Sequence, residues 1–175
     1  MHKILTVGEY KETQFGNVVS SDIVAEDMYG FATIFSEGSI ALKDLLLYLW
    51  RHGIETKACC TGHICKPIFK KRVLWFEKYI SENEYLQNQN NKNYRYMLVN
   101  QPGYLCFYYY SDNMRQIADS LRDMIVERCP DIPMHINFSY DNISIHLDKV
   151  LYMNDIDRFF NTVLEVFPIW ISKNA

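Results

Sequence analysis

The densest grouping of reactive side-chain types is Cys59-Cys60-Thr61-Gly62-His63-Ile64-Cys65, which holds three of the chain's five cysteines. Three kinds of chemistry suit it. Thiolates and imidazole bind zinc, so Cys60, His63 and Cys65 are candidate ligands that would need a fourth partner such as Cys106, His135 or His146. The spacing lacks the paired Cys-x-x-Cys knuckles of common structural zinc sites, so the expectation is no cofactor, with zinc as the alternative. A cysteine activated by a histidine is a nucleophile, which makes Cys59 or Cys60, with His63 as base, the candidate catalytic set of a hydrolase or transferase. In the third reading nothing is converted. Gly62 lets a loop turn sharply and present backbone amides, and Thr61 and His63 supply donors to a polar or anionic ligand. Lys66, Lys70, Lys71 and Arg72 follow directly, and Lys71 and Arg72 are candidate phosphate partners. A loop with buried cysteines and no ligand accounts for the same residues.

A second group lies further along. Tyr104 to Tyr110 reads as a strand by aromatic propensity. Leu105, Phe107 and Tyr109 form its core face, leaving Tyr104, Tyr108 and Tyr110 beside Cys106 on a polar face where rings can stack on a planar ligand. Met134–Tyr140 and Ile143–Asp148 read as a hairpin joined by Asp141-Asn142. That loop would set Tyr140 against Ile143, Phe138 against Ile145 and Ile136 against Leu147. On the opposite face Ser139 would meet Ser144, Asn137 would meet His146, and His135 would meet Asp148. His135, Asn137, His146 and Asp148 join the candidate ligand-binding residues, although an exposed antiparallel sheet carries such polar residues without any ligand.

The elements that must position these groups follow from periodicity. Leu42, Leu45, Leu46 and Leu49 make a helical stripe over 39–52, with Ser36 or Ser39 as cap and Gly53 as the left-handed stop. Ile54 to Cys60 is expected as a strand, with the cysteine–histidine loop projecting from its end. Pro67 to Leu86 is read as a helix carrying Leu74, Phe76, Tyr79 and Ile80. Residues 87–93 make a polar linker or loop tip, and Pro102-Gly103 a turn. Ser111 or Asp112 is expected to cap a helix carrying Met114, Ile117, Ala118, Leu121, Met124 and Ile125. A last helix from Asn154 carries Ile156, Phe159, Phe160, Val163 and Leu164 and stops before Pro168. From residue 39 the order is α-β-insert-β-α-β-β-α. This implies one α+β domain over 1–175, a two-layer sandwich with helices on one face of a largely antiparallel sheet. Residues 1–38 form an N-terminal segment and 67–100 an insertion.

At 175 residues, 49% hydrophobic and 22% charged, the chain has ample material for a core and is not a disordered polymer. Its 13 tyrosines, 10 phenylalanines and 3 tryptophans are an unusually rich aromatic share. A net charge of −3 and a pI near 5.9 make general nucleic-acid binding unexpected. The N-terminal residues lack a signal-peptide stretch, and no run approaches a membrane span, so a cytoplasmic location with reduced thiols is expected.

The stretch Leu45 to His63 reads helix, Gly-Ile-Glu-Thr, then Cys-Cys-Thr-Gly-His. It resembles a set of small bacterial and phage proteins with Gly-[Ile/Tyr]-x-Thr-x-x-Cys-Cys-x-Gly-His after a helix. It is more distantly similar to the Ser-Cys-Ser-Gly-Arg loop of enzymes that methylate a wybutosine precursor; here Cys59 replaces the first serine and His63 the arginine. The expectation is a small-ligand binder for a nucleotide or nucleotide-derived signal. The resemblance to phage proteins implies sequestration of a host signal, an anti-defence role. A homodimeric interaction module is the remaining alternative.

Overall fold

A computed structural model describes residues 28–174, which divide between two compact units: 28–62 with 102–174, and 63–101. The expected N-terminal segment therefore lies outside the described residues over 1–27. The rest of it contains helix α1 (Met28–Phe35).

In the first unit, helix α2 (Ile40–Arg51) follows the leucine stripe, with Leu42, Leu45, Leu46 and Leu49 fully buried. Burying each such side chain stabilises the fold by about 1.5–3 kcal/mol. Ser39 is the cap. Its hydroxyl accepts from the Leu42 N–H at 3.1 Å and donates to the Asp157 carboxylate at 2.7 Å. At the other end Gly53 takes φ 71°, and the N–H groups of Gly53 and Ile54 donate to the Trp50 and Leu49 carbonyls. This paired closure satisfies carbonyls that the helix end would otherwise leave open.

Strand β1 (Thr56–Val73) then runs for 18 residues, passing from the first unit into the second. The expected strand end at Cys60 is corrected: Cys59 to Cys65 lie within β1 and are not a loop. Strand β3 (Tyr94–Tyr108) returns the chain to the first unit and includes Pro102-Gly103, which is therefore not a turn. Glycine is needed there for another reason. A Cβ on Gly103 would stand 2.8 Å from the Thr61 carbonyl oxygen, so only glycine lets the two backbones approach.

Helix α4 (Met114–Arg128) buries all six residues of the expected face, but its cap is Asn113 rather than Ser111 or Asp112. Strands β4 (Met134–Phe138) and β5 (Asn142–Leu147) form the hairpin. Helix α5 (Met153–Asn174) runs through Pro168 instead of stopping before it. Val166, Phe167 and Trp170 on that last stretch are fully buried, and the exposed Pro168 sits on the solvent side. Their burial outweighs the roughly 3 kcal/mol that an interior proline costs.

The strands of the first unit hydrogen-bond in the order β1-β3-β5-β4 and those of the second, with β2 (Phe76–Tyr79), in the order β2-β1-β3, giving one antiparallel sheet of five strands. Leu105, Phe107, Ile143, Ile145 and Leu147 point to the helices and are buried. Phe107 packs edge-on against Phe167 and Trp170 of α5. The first unit is thus the expected α+β sandwich, helices on one side of its sheet.

The second unit is not a helix over 67–86. After β1 the chain turns at Leu74-Trp75 into β2 (Phe76–Tyr79), pairing Val73 with Phe76 and Lys70 with Tyr79. A short helix α3 (Glu82–Gln87) follows, capped by Ser81, and turns over 88–93 lead into β3. The rings of Phe69, Tyr85 and Tyr96 lie 5.1–6.3 Å apart and hold α3 on the sheet.

Candidate functional site

The hairpin register differs from expectation by two residues in pairing. Ile136 faces Ile145, Phe138 faces Ile143 and Met134 faces Leu147, while His135 faces His146 and Asn137 faces Ser144. The turn is Tyr140-Asp141, not Asp141-Asn142. Asp141 anchors it: its carboxylate accepts from the Ser139 hydroxyl at 2.9 Å and the Asn142 amide at 2.8 Å. These bonds, the Ser139 hydroxyl first, hold the Asp141 carboxyl below its usual range. A two-residue slip preserves side-chain parity, so the polar and apolar faces survive the correction.

That parity assembles a row across three strands. Tyr104 on β3 is the register partner of His146 on β5, which is in turn the partner of His135 on β4. The rings stack: Tyr104 on His146 at 5.8 Å and 24°, His146 on His135 at 5.0 Å and 7°. Asp148 closes the row through its carboxylate against the His135 Nδ1. Asp148 is a diagonal neighbour of His135 across the ladder, not the directly opposed partner that the expected register gave.

Burial, and next the neighbouring His135, lower the pKa of His146, with Asp148 opposing. At neutral pH His146 is thus a neutral imidazole offering one donor and one acceptor. The half-buried Tyr104 hydroxyl has its pKa raised, first by desolvation and then by Cys60, Cys59 and Glu37. It remains a donor.

The cysteine-rich stretch behaves differently. Cys59 packs against the core, its thiol donates to the Phe35 carbonyl at 3.4 Å, and burial pushes that thiol up to about 12. Glu37 adds to the shift. Cys60 is buried, and its sulfur accepts from the Gly62 N–H at 3.3 Å. Thr61 is also buried; its hydroxyl donates to the Glu37 carboxylate at 3.4 Å. Gly62 holds φ 104°, and the first unit ends there. His63 and Cys65 open the second unit, so the reactive cluster is divided between the two. Cys65 is exposed at φ 52°, and its N–H donates to the Asn100 side chain at 3.1 Å.

Other expected members disperse. Tyr110 lies beyond the end of β3 and donates to Asp112 at 3.2 Å, off the row. Tyr108 is half-buried opposite Asn142, and Asn137 is exposed opposite Ser144. In the second unit Lys71 sits 3.8 Å from Glu84 and over the Tyr94 ring, while Arg72 is exposed opposite Glu77. The residue that sequence reasoning missed is Glu37, whose charge acts on Cys59 and Tyr104. It occupies a turn at φ 50° beside Gly38, and nothing in its local sequence points across the fold to those groups.

Two clefts of the first unit lie away from the row. One of about 750 Å³ runs along α4 past Asp119, Asp123 and Glu127, and one of about 300 Å³ is lined by Asp44, Tyr48, Arg51, His52, Leu47 and Leu164. No protein family, curated protein or solved structure matches the chain. No helix among the described residues is long and apolar enough to cross a membrane.

Proposed function

We propose that the sheet face of the first unit that carries Tyr104, His146 and His135 binds a planar, polar small molecule of the nucleotide class and does not convert it. The observation that carries this reading is the stacked row Tyr104–His146–His135, held at one end by Asp148. A sheet face that needed only solubility would scatter charged side chains; here three flat rings line up, two with the hydrogen-bonding edges of imidazoles. Such rings extend a stack to a base and bond its edge groups. Binding without turnover is supported by Cys59, whose thiol, pushed up to about 12, supplies essentially no thiolate at neutral pH. The resemblance to phage proteins extends the proposal to sequestration of a signalling nucleotide.

The test is mass spectrometry of small molecules released from the purified protein by heat, followed by thermal-shift measurements with a nucleotide panel. The expected result is recovery of an unchanged nucleotide and a raised Tm with it, since a ligand bound only to the folded form must stabilise it. Tyr104→Ala and His146→Ala should each weaken binding about ten-fold, the cost of one lost stacking or hydrogen-bonding contact of about 1.4 kcal/mol. Recovery of a chemically altered product would favour the hydrolase or transferase reading. No released molecule and no shift across the panel would end the proposal.

A further inference from the structure

Seven of the chain's 18 basic residues, but three of its 21 acidic ones, fall within the 39 residues from His63 to Gln101. The second unit therefore carries +4 and the remainder of the chain −7. The chain-wide value of −3 averages over two opposite balances.

The cations are interleaved with rings. Lys70 lies 4.9 Å from the centroid of the Tyr79 ring, its register partner. By strand alternation Arg72 shares that face with Lys70. Arg95 joins it through Glu77, which contacts Arg95 at 2.6 Å and Lys70 at 4.0 Å. One carboxylate thus stands among three cations. Nearby rings are left in solvent: Trp75 is 85% exposed and Tyr79 72%, with Phe76 and Tyr96 each 47%.

We propose that the second unit binds single-stranded nucleic acid, stacking bases on Trp75 and Tyr79 and holding phosphates with Lys70, Arg72 and Arg95. Exposed rings stack only on unpaired bases, and a basic surface tracks a backbone with little sequence preference. An anionic lipid surface would call for an apolar tip with cations set behind it. Here Tyr79 lies among Lys70, Arg72 and Arg95 on the paired strands, so rings and cations continue together from the Leu74-Trp75 turn down the sheet as a track.

The full chain carries its own reporter, because Trp50 and Trp170 are buried and Trp75 is not. Titration with a dT homopolymer of roughly 20 nucleotides should quench tryptophan emission without a blue shift. Neutralising three phosphates should make affinity fall roughly 20-fold between 50 and 200 mM salt. Trp75→Ala should weaken binding of a fluorescein-labelled strand about ten-fold or more, Trp75→Phe should largely restore it, and Arg72→Glu should flatten the salt dependence. Unchanged circular dichroism separates these losses from misfolding. A strand affinity indifferent to salt or to Trp75→Ala would overturn the proposal, as would equal affinity for the dA·dT duplex. So would a blue shift with phosphatidylserine–phosphatidylcholine vesicles and no response to dT, which would assign the surface to lipid.

Discussion

The two units differ most in what they do with large side chains. In the first, Phe31, Phe107, Phe159, Phe160, Phe167 and Trp170 are buried to within 1% of complete. In the second, no residue from His63 to Gln101 is buried, and eight of its large hydrophobics are exposed. Thirty-nine residues are too few to enclose a core without a disulfide, metal or partner. The second unit is held instead by a ring cluster, by ion pairs around Glu77 and Glu84, and by β1 and β3, which run in from the first unit. The comparison teaches that apolar residues in the two regions answer to different demands: volume in one, and accessible surface in the other.

The sharpest way to break that contrast is to truncate one large ring in each unit. Phe107→Ala should cost about 3–5 kcal/mol, because the phenyl is fully buried between β5 and the α5 rings. Trp75→Ala, which removes a larger ring, should change stability by no more than about 0.5 kcal/mol. Urea denaturation of the full chain measures both. A comparable loss for Trp75→Ala would mean that the second unit does keep a core.

A smaller effect tests how β1 and β3 are joined. Gly103→Ala places a methyl group 2.8 Å from the Thr61 carbonyl oxygen and 3.0 Å from that of Cys60. Both are backbone atoms within a ladder and cannot rotate aside, so the strands must separate. The expected cost is about 1–3 kcal/mol, read as a lower urea midpoint at unchanged slope. A loss below about 0.5 kcal/mol would show that the strands yield there, and the close approach would not explain the glycine.

The same contrast explains what could be read from the amino-acid order. In the first unit, burial imposes a period: Leu42, Leu45, Leu46 and Leu49 repeat with the helix, Leu105 and Phe107 with the strand, and both assignments hold. Turn chemistry held where a residue type is demanding, as at Ser39 and Gly53. It misled where context reversed it. Pro102-Gly103 has a turn's composition but serves a close strand approach, and Pro168 marks a helix stop that tertiary burial overrides. In the second unit nothing is buried, so no periodicity distinguishes strand from helix over 67–80, and the turn at Leu74-Trp75 lacks the Gly, Asn or Asp that would announce it. The polar row was legible because face depends only on parity, which a two-residue register error leaves intact. The role of Glu37 was not, since it depends on a contact made across the fold.

The finest test compares two turns. Gly53 and Leu74 both hold the left-handed region, at φ 71° and φ 56°, yet the first unit places a glycine there and the second a leucine. A side chain in that conformation costs roughly 1–2 kcal/mol. Gly53→Ala, with open space around its Cβ, should therefore destabilise by about 1 kcal/mol through backbone strain alone. Leu74→Gly should run the other way. Relief of the strain exceeds the roughly 0.4–1 kcal/mol lost by making the unfolded chain more flexible, so a small gain of a few tenths to about 1 kcal/mol is expected. The leucine is 74% exposed and gives up little burial in exchange. Paired Tm measurements on the full chain decide it. Opposite signs mean that stability alone would have chosen glycine at both turns, and that the Leu74-Trp75 turn is kept for contact with something outside the fold. Loss of stability in both would mean that Leu74 packs usefully after all, and the turn would then need no partner to account for it.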